Sequence, residues 1–350
     1  MLRQLARLTH PVPRAGPTAL ALAVYTDRSG ERVVAKESGF EGVACVDDVA
    51  RALDVLCPIW TRTRDPEIER WARGMLEFVL WMQGDDGRWW NFIYDWSGAR
   101  NESGITSATG ENFWHARALS GVSHAWLTFG DERSLEAMHR GLDHAVTRQA
   151  PADVRALHVL VGLRLMEDSM PDLRPTVRHW AHEIAAARTD GVLMNNPDEQ
   201  GEPHLWAHVQ EGVLALAGRA LGDDTLIDVA RTSASALWGP IVRGGFDRPS
   251  VTPYDAACAV YSLECLADVD GGDDWFELAA QARRWFDHVD ASGRAVYDRR
   301  VGRVADGVDA GRVSENSGAE ANVVGAQVLL DAAVASVERA VTLLPGSSSA

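Results

Sequence analysis

The chain has 350 residues, of which 46% are hydrophobic, so it is long enough to bury a sizeable core. Asp and Glu number 50 against 34 Lys and Arg, which gives a formal net charge of −16. A surface of this sign repels phosphate backbones and anionic lipids, so we expect neither nucleic acid nor a membrane as a partner. A neutral or cationic ligand is easier to accommodate.

The sequence predicts a cytoplasmic protein. No apolar run reaches the length of a membrane-spanning helix. The Ala/Leu stretch at 19–24 is short for the core of a signal peptide, and no clear cleavage site follows it. The four cysteines form no CxxC pair and lie in apolar stretches, so we expect buried thiols at Cys45, Cys57, Cys258 and Cys265.

Apolar residues recur at helical spacing along nearly the whole chain. Stretches with few charges, which are expected to be buried inner helices, lie at 45–59, 111–128, 152–167, 205–221, 254–268 and 317–332. Charge-rich stretches, which are expected to be outer helices, alternate with them at 66–82, 132–147, 173–187, 224–238 and 273–288. These hairpins predict an all-α (α/α)6 toroid, a six-hairpin barrel. The sixth outer helix is expected from the end of the 317–342 stretch or from the N-terminus.

A weak internal repeat supports this architecture. Asp86-Gly87, Asp190-Gly191 and Ser292-Gly293 each follow an outer helix, at nearly equal intervals along the chain. Residues with β propensity follow these turns, so we expect short extended pieces in the rim loops. No linker is evident, and residues 1–344 are therefore predicted to form one barrel domain, with a disordered tail at 345–350.

Polar side chains stand at the beginnings of five of the six inner helices, and parallel inner helices would bring them together in one carboxylate-lined bowl. Helix capping explains any one of them, since Asp and Asn are common at N-termini, but capping does not require Glu211 or Glu320. The residues are Asp47, Asp48, Arg51, Glu111, Asn112, Trp114, His115, Arg117, Trp206, His208, Glu211, Tyr254, Asp255, Glu315, Asn316 and Glu320.

Indole rings are also expected near the bowl. Four of the 13 tryptophans, Trp89, Trp90, Trp114 and Trp206, lie in predicted rim segments, where they either stack on the C–H faces of a sugar or fill the core.

Signatures of other chemistries are missing. His204 and His208 have a spacing that suits a metal, but no HExxH motif occurs, and we expect no metal. No GxxxxGK[ST], no GxGxxG after a strand and no GxSxG occur. We therefore expect no cofactor and no serine hydrolase chemistry.

Three motifs resemble a family of bacterial (α/α)6 domains that is six-hairpin glycosidase-like. They read CVDDVARAL at 45–53, DGRWWNF at 86–92 and ENFWHARAL at 111–119. Members of that family are often fused to, or encoded beside, sugar-nucleotide glycosyltransferases. The resemblance implies a glycan-active toroid with a glycosyltransferase encoded nearby as a partner. It also implies pocket roles for Asp47, Asp48, Asn91, His115 and Arg117.

The first functional hypothesis is an inverting glycoside hydrolase that acts on a bacterial oligo- or polysaccharide. Such an enzyme needs an acid and a base whose carboxyl groups are roughly 6.5–9.5 Å apart. The catalytic candidates are Asp48 and Glu111 on one side of the bowl, with Asp255, Glu315 or Glu320 on the other. The remaining residues named above are predicted to bind the substrate.

Four alternatives stay open at the level of sequence. A polysaccharide lyase would use Tyr254 and His115, and a sugar epimerase would use His115 and His208. A terpene-cyclase-like toroid and a non-catalytic glycan-binding protein are the other two.

Overall fold

The computed structural model describes residues 1–27, 32–36, 41–167, 169–196 and 201–346. The chain contacts divide it into two compact units, of which the first comprises Met1–Arg148, Arg294–Asp306 and Val313–Ala350. The second unit comprises Gln149–Gly293 and Gly307–Arg312. That residues 1–344 form one barrel domain stays a prediction, and residues 347–350 of the predicted tail lie outside the described part of the chain.

Helices make up most of the described structure. They are α1 (Leu2–Leu8), α2 (Val46–Thr63), α3 (Pro66–Trp81), α4 (Phe113–Phe129), α5 (Glu132–Thr147), α6 (Ala152–Leu165), α7 (Arg174–Ala186), α8 (Gln210–Leu221), α9 (Asp224–Ala236), α10 (Trp238–Arg243), α11 (Pro253–Asp270), α12 (Asp273–Arg283), α13 (Ala319–Val328), α14 (Leu330–Val334) and α15 (Val337–Val341). Short 3₁₀ turns at Pro171–Leu173 and Arg284–Asp287 flank α7 and α12. Within the described ranges, no helix is long and apolar enough to cross a membrane.

The strands are only two or three residues long and lie in the loops. They are β1 (Thr9–Pro11), β2 (Leu20–Leu22), β3 (Tyr25–Thr26), β4 (Arg32–Val33), β5 (Ala44–Cys45), β6 (Phe92–Ile93), β7 (Arg188–Thr189), β8 (Val192–Leu193), β9 (Ser250–Val251), β10 (Tyr297–Asp298), β11 (Arg303–Val304), β12 (Val308–Asp309) and β13 (Arg312–Val313). Antiparallel pairs join β1 to β2, β3 to β4, β5 to β6, β7 to β8, β9 to β12 and β10 to β11. The expected short extended pieces are therefore present.

Charge-poor and charge-rich helices alternate within each unit. In the first unit, α2 packs on α4, and each also packs on the charge-rich helix that follows it, α3 or α5. In the second unit, α8 packs on α6 and α11, while α7, α9 and α12 cover them from outside. The sequence predicts the sixth outer helix either from the N-terminus or from the end of the chain. Helix α1 packs on both α13 and α15, so both of these segments are helical and lie together.

The sequence placed several helix ends wrongly. Helix α8 begins at Gln210 and not at 205, because Ala207 has a left-handed backbone with a φ of 58° that interrupts any helix. The stretch predicted as one helix at 317–342 is three short helices, separated at Leu329 and at Ala335–Ser336. The glycines of the three repeat turns, Gly87, Gly191 and Gly293, share a left-handed backbone with φ between 83° and 85°. Of the residues that precede them, Asp190 is also left-handed, with a φ of 51°.

Gly121 sets the spacing between α2 and α4. A Cβ atom at this position would lie 2.8 Å from the Ala50 carbonyl oxygen and 3.0 Å from its Cα. We expect Gly121→Ala to lower the free energy of unfolding by about 1–3 kcal/mol, because backbone atoms of the facing helix cannot move aside. Urea unfolding measures the change.

Gly272→Ala is the matched control for that prediction. Its Cβ would meet nothing closer than 3.5 Å, and the φ of Gly272 is −89°. The close approach of α2 and α4 is not a constraint if the two variants unfold at the same urea concentration.

Candidate active site

The loop before α4 fixes the first turn of α2. Strand β5 pairs with β6, and the Val46 amide donates to the Asn91 carbonyl oxygen at 2.8 Å. The Asn91 side-chain oxygen accepts from the Asp47 amide at 3.0 Å, and its amide nitrogen donates to the Thr106 carbonyl at 3.0 Å. Asn91 was predicted to bind substrate; the structure shows that it anchors the beginning of α2, where the carboxylates of Asp47 and Asp48 lie.

Three carboxylates converge on one guanidinium nitrogen. The Arg51 Nη2 atom lies 2.7 Å from Asp48 Oδ1, 3.0 Å from Asp47 Oδ1 and 2.9 Å from Glu320 Oε2. Because two atoms that contact the same nitrogen cannot be further apart than the sum of their distances to it, no two of these oxygens are separated by more than 5.9 Å. We call Asp47, Asp48, Arg51, Arg117 and Glu320 the Arg51 cluster.

Arg117 brings α4 into this cluster. Its guanidinium makes an ion pair with Asp47 and lies over the Phe113 ring, 4.9 Å from the centroid. The side chain of Asn112 caps α4 by accepting from the His115 amide at 3.1 Å. Asn112 thus acts on the helix that presents Arg117.

The members of the cluster differ in exposure. The side chain of Glu320 is 50% exposed, whereas that of Asp48 is 4% exposed. Glu320 is therefore the carboxylate that solvent and a ligand reach most easily, and Asp48 is buried at the wall of the site.

The two neighbouring aspartates have opposite pKa shifts. Burial, together with the charges of Asp47 and Glu320, raises the pKa of Asp48 to about 6 against the opposing effect of Arg51. Burial also acts on Asp47, but the guanidinium groups of Arg117 and Arg51 outweigh it and hold the pKa of Asp47 below its ordinary value. One carboxyl group thus exchanges its proton near neutral pH while its neighbour stays ionised.

Cys45 also contacts this site, and its hydrogen bond to Asp48 lowers the pKa of that carboxyl group, against the larger raising effect of burial. Its Sγ atom donates to Asp48 Oδ2 at 3.3 Å. Burial and the nearby Asp48 and Asp47 raise the pKa of the thiol, so it remains a donor. The sequence predicts a buried thiol at Cys45 and places it at the start of the CVDDVARAL motif, three residues before Asp48.

Glu111 and His115 belong to a different cluster of the first unit. Glu111 Oε1 lies 3.0 Å from His144 Nε2, and the His144 ring packs edge-on against His115. His115 is fully buried with its Nε2 3.2 Å from the Gly141 carbonyl oxygen, and burial together with His144 lowers its pKa to about 4. His115 is therefore neutral at physiological pH and has no exposed surface.

The tryptophans of the first unit serve mainly in packing. Trp89 is fully buried and donates to the Val79 carbonyl at 2.9 Å, and Trp114 donates to the Trp89 carbonyl at 3.1 Å. The Arg100 guanidinium lies 5.0 Å from the centroid of the partly buried Trp90 ring. Because no part of Trp89 reaches solvent, we leave it out of the proposed site.

Glu315 and Asn316 lie in the loop before α13. Glu315 is half-exposed and makes an ion pair with Arg294 at 2.7 Å. The Asn316 amide donates to the Ser314 hydroxyl at 3.1 Å, and its carbonyl accepts from the Asp306 amide. The contacts found for Glu315 are thus with Arg294 and not with Arg51.

In the second unit, Asp255 caps a helix. Its carboxylate accepts from the Thr252 amide at 2.7 Å and from the Thr252 hydroxyl at 2.9 Å, while its own amide donates back to that hydroxyl. This capping box occupies Asp255 at the start of α11 next to the partly buried Tyr254. We therefore do not place Asp255 among the catalytic residues.

His208 and Glu211 form a buried polar network in the same unit. Both are fully buried, and His208 lies between Asn195 Oδ1 at 2.7 Å and Glu211 Oε1 at 3.0 Å. The carboxylate of Glu211 also accepts from Ser233 at 2.6 Å and from Trp238 at 3.1 Å. Burial raises the pKa of Glu211, but the charge of His208 and the hydrogen bonds from His208 and Ser233 outweigh it and lower that pKa.

Trp206 is the exposed aromatic residue among the candidates of the second unit. Its ring is 43% exposed and stacks on His204 with centroids 3.9 Å apart and planes 10° from parallel. Such a supported indole face is suited to a sugar ring.

Removing the charge of Glu211 is expected to be costly. Glu211→Gln should lower the free energy of unfolding by about 3–5 kcal/mol at pH 7, because a buried network loses its anion. Since the pKa of Glu211 is lowered in the folded protein, its stabilising effect is present at neutral pH and is lost as the pH falls. The difference between Glu211→Gln and the parent protein in urea unfolding should therefore shrink in acid.

Asp268→Asn in the same unit is the control, because Asp268 pairs with Arg219 on the surface. Its cost is expected to be about 0–1 kcal/mol. Equal costs for the two variants would show that Glu211 does not stabilise the second unit through its charge.

Comparison with known proteins shows the fold. The chain matches no model of a known protein family, and its sequence matches no curated protein. The structure is similar to cellobiose 2-epimerase from Bacillus thermoamylovorans (TM-score 0.68, 8% identity, covering 97% of this chain and 96% of that one). It is also similar to a sugar epimerase from a ruminal bacterium (TM-score 0.66, 12% identity, 91% and 92% coverage). An unsaturated glucuronyl hydrolase specific for heparin gives a TM-score of 0.61 at 12% identity, with 97% and 95% coverage.

These likenesses, at such low identity, concern the fold alone. The fold class is the all-α (α/α)6 toroid with short β pieces in its loops, as predicted from the sequence.

Proposed function

We propose that this protein is a carbohydrate-active enzyme, specifically a glycoside hydrolase that uses the carboxyl groups of the Arg51 cluster. The observation that carries the proposal is the convergence of Asp47, Asp48 and Glu320 on one guanidinium nitrogen, with a raised pKa at Asp48 and a lowered one at Asp47. Carboxyl groups whose surroundings push their pKa values apart are what acid and base catalysis of glycoside cleavage requires. The fold, which this chain shares with sugar epimerases and a glucuronyl hydrolase, agrees with a sugar substrate.

Each acid has a role that follows from its environment. Asp48, with a pKa of about 6, keeps part of its protons near neutral pH and acts as the general acid toward the leaving oxygen. Glu320 is half-exposed and acts as the nucleophile: its carboxylate bonds to the anomeric carbon as the leaving oxygen departs with the proton of Asp48. Water, deprotonated by Asp48, then breaks that ester bond and restores both carboxyl groups. Asp47 stays ionised and stabilises the positive charge that develops on the sugar ring in the transition state.

The spacing of these oxygens bears on stereochemistry. Asp48 Oδ1 and Glu320 Oε2 are at most 5.6 Å apart, since both contact Arg51 Nη2. This limit on the two facing oxygens lies below the roughly 6.5–9.5 Å between the carboxyl groups of inverting enzymes, and it allows the roughly 5–5.5 Å of retaining ones. For this pair we therefore propose a retaining reaction, whereas the inverting reaction predicted from sequence would need a carboxylate outside the cluster, such as Glu111.

Substrate and cellular context complete the proposal. A net charge of −16 and an excess of acids in the cluster favour a neutral or cationic glycan, such as a bacterial oligo- or polysaccharide. A cytoplasmic location and a glycosyltransferase encoded nearby as partner follow from the sequence and its family resemblance, and they belong to the proposal.

A sugar epimerase is the second candidate, because two of the similar structures are epimerases of sugars. The pair proposed for that reaction, His115 and His208, is fully buried. An epimerase would thus need another base that faces the substrate, and we rank it below the hydrolase for that reason.

One experiment separates the reactions. Purified protein is incubated with a panel of neutral and amino oligosaccharides, and the products are followed by proton NMR. A glycosidase releases a reducing sugar, whose first-formed anomer reports retention or inversion. A change of configuration at a ring carbon without chain cleavage, an unsaturated product, or saturable binding without any product would each refute the hydrolase proposal.

A further inference from the structure

A pocket whose lining includes no residue of the Arg51 cluster lies where α1, α15 and the β10–β11 hairpin come together in the first unit. Its volume is about 190 Å³, and its polar lining consists mainly of Arg3, Tyr297, Arg299, Ser336 and Arg339. In the part of the chain that the structure describes, no Asp or Glu lines it. Three guanidinium groups around one small cavity are unusual in a protein with an excess of 16 negative charges.

A backbone carbonyl holds one of the guanidinium groups at this pocket. The Arg3 guanidinium donates to the Arg299 carbonyl at 2.8 Å, and Gly302 lies directly against it. The Arg3 Nε atom is buried, and no hydrogen-bond partner is found for it among the described residues. Ion pairs within the described ranges likewise involve neither Arg3 nor Arg339. A buried N–H without an acceptor is costly, so this pocket is built to receive one.

The surroundings of Tyr297 also show several positive charges at this pocket. It is buried on the floor of the pocket, with the Arg299 guanidinium 5.0 Å from its ring centroid. Burial raises the pKa of Tyr297, while Arg299, Arg3 and Arg339 act to lower it, so all three cations are near its hydroxyl. Next to the pocket, burial and repulsion from Arg3 and Arg303 lower the pKa of Arg7.

We propose that this pocket binds a phosphate group, either as inorganic phosphate or as the phosphate of a phosphorylated sugar. Arginine forks match the geometry of phosphate oxygens, and a doubly charged oxyanion satisfies several guanidinium groups at once. The hydroxyls of Tyr297 and Ser336 supply further polar partners. The volume lies below the roughly 300 Å³ where small-molecule sites begin, which suits a compact anion better than an oligosaccharide.

The test is titration calorimetry of the full chain at low ionic strength, with inorganic phosphate in one series and glucose 6-phosphate in another. Arg339→Gln removes an exposed cation and should weaken binding about tenfold or more. Arg299→Gln should act in the same direction, and melting curves establish that both variants fold. Arg188→Gln, an exposed arginine of the second unit, loses the same charge and should bind like the parent protein.

The two series distinguish the sources of the phosphate group. Arginine-dependent binding of both ligands shows that the phosphate group alone is recognised, and arginine-dependent binding of glucose 6-phosphate alone makes a phosphate ester the ligand. The proposal is overturned if neither ligand gives saturable heat. It is also overturned if Arg339→Gln and Arg299→Gln bind as tightly as Arg188→Gln, since the anion would then bind elsewhere.

Discussion

Asp48→Asn is expected to lower the turnover of the glycan substrate by about 10²–10⁴-fold, because the amide cannot supply the proton that the leaving oxygen needs. The change is nearly isosteric and leaves Arg51 in contact with Asp47 and Glu320. The rate of sugar release at saturating substrate, measured between pH 5 and 8, tests it. In the parent protein, activity should fall on the alkaline side of the profile, above about pH 6, as Asp48 loses its proton.

Unfolding measurements show whether Asp48→Asn loses activity because the proton donor is missing or because the protein is less stable. The pKa of Asp48 is raised from 3.8 to about 6 in the folded protein, so the folded state binds more protons than the unfolded state in this interval. The parent protein therefore loses stability as the pH rises from about 4 to 6, by up to ~3 kcal/mol for a shift of about two units. Asp48→Asn lacks this loss and should be at least as resistant to urea as the parent protein at pH 8.

Asp331→Asn provides the matched control, because Asp331 lies on α14 with its side chain almost fully exposed and pairs with the exposed Arg62. It should leave both turnover and the pH dependence of unfolding unchanged. Full activity in a folded Asp48→Asn protein would remove Asp48 from the mechanism.

Arg51→Met is expected to lower the free energy of unfolding by about 3–5 kcal/mol at pH 8, the largest stability effect that we anticipate in the first unit. The methionine fills much of the space of the arginine stem but leaves three carboxylates without their shared cation. The effect should diminish toward pH 4, where Asp48 is protonated and no longer repels its neighbours. Urea unfolding at both pH values measures it.

Arg62→Met on the same helix is the matched control, because it removes an exposed guanidinium group instead of a buried one. Arg62 pairs with Asp331 at 2.7 Å, but both side chains are exposed, so its replacement should cost about 0–1 kcal/mol. If Arg51→Met and Arg62→Met differ by less than 1 kcal/mol at pH 8, the carboxylates do not depend on Arg51.

The fold could be predicted because apolar residues recur along the chain at helical spacing. Helix α3 illustrates why: Trp71, Met75 and Phe78 recur at helical spacing and are all buried, so their positions in the sequence report directly on the folded helix. The start of α8 illustrates the limit. Nothing in the residue type of Ala207 indicates a left-handed backbone, which depends on the packing of the surrounding loop.

The site was predictable only in part, because short polar side chains look alike in sequence whatever they contact. Asp48 and Asp255 both lie in the first turn of an apolar helix, yet one contacts Arg51 and the other caps its own helix. The contact of Arg51 with Glu320 joins residues 269 positions apart, and no local pattern encodes it. Trp89 has a rim-like sequence context but fills the core.

The Arg51 cluster contains three acids and two guanidinium groups, counting Arg117, so its formal charge is zero only while one acid holds a proton. The raised pKa of Asp48 makes that acid the natural holder. A bound molecule with a positive charge would neutralise the cluster in place of that proton, and the proton would be released to the solution. Occupancy by cations and the acidity of the medium are thereby thermodynamically linked at this site, so a ligand with a permanent positive charge would be held more tightly above pH 6 than below it.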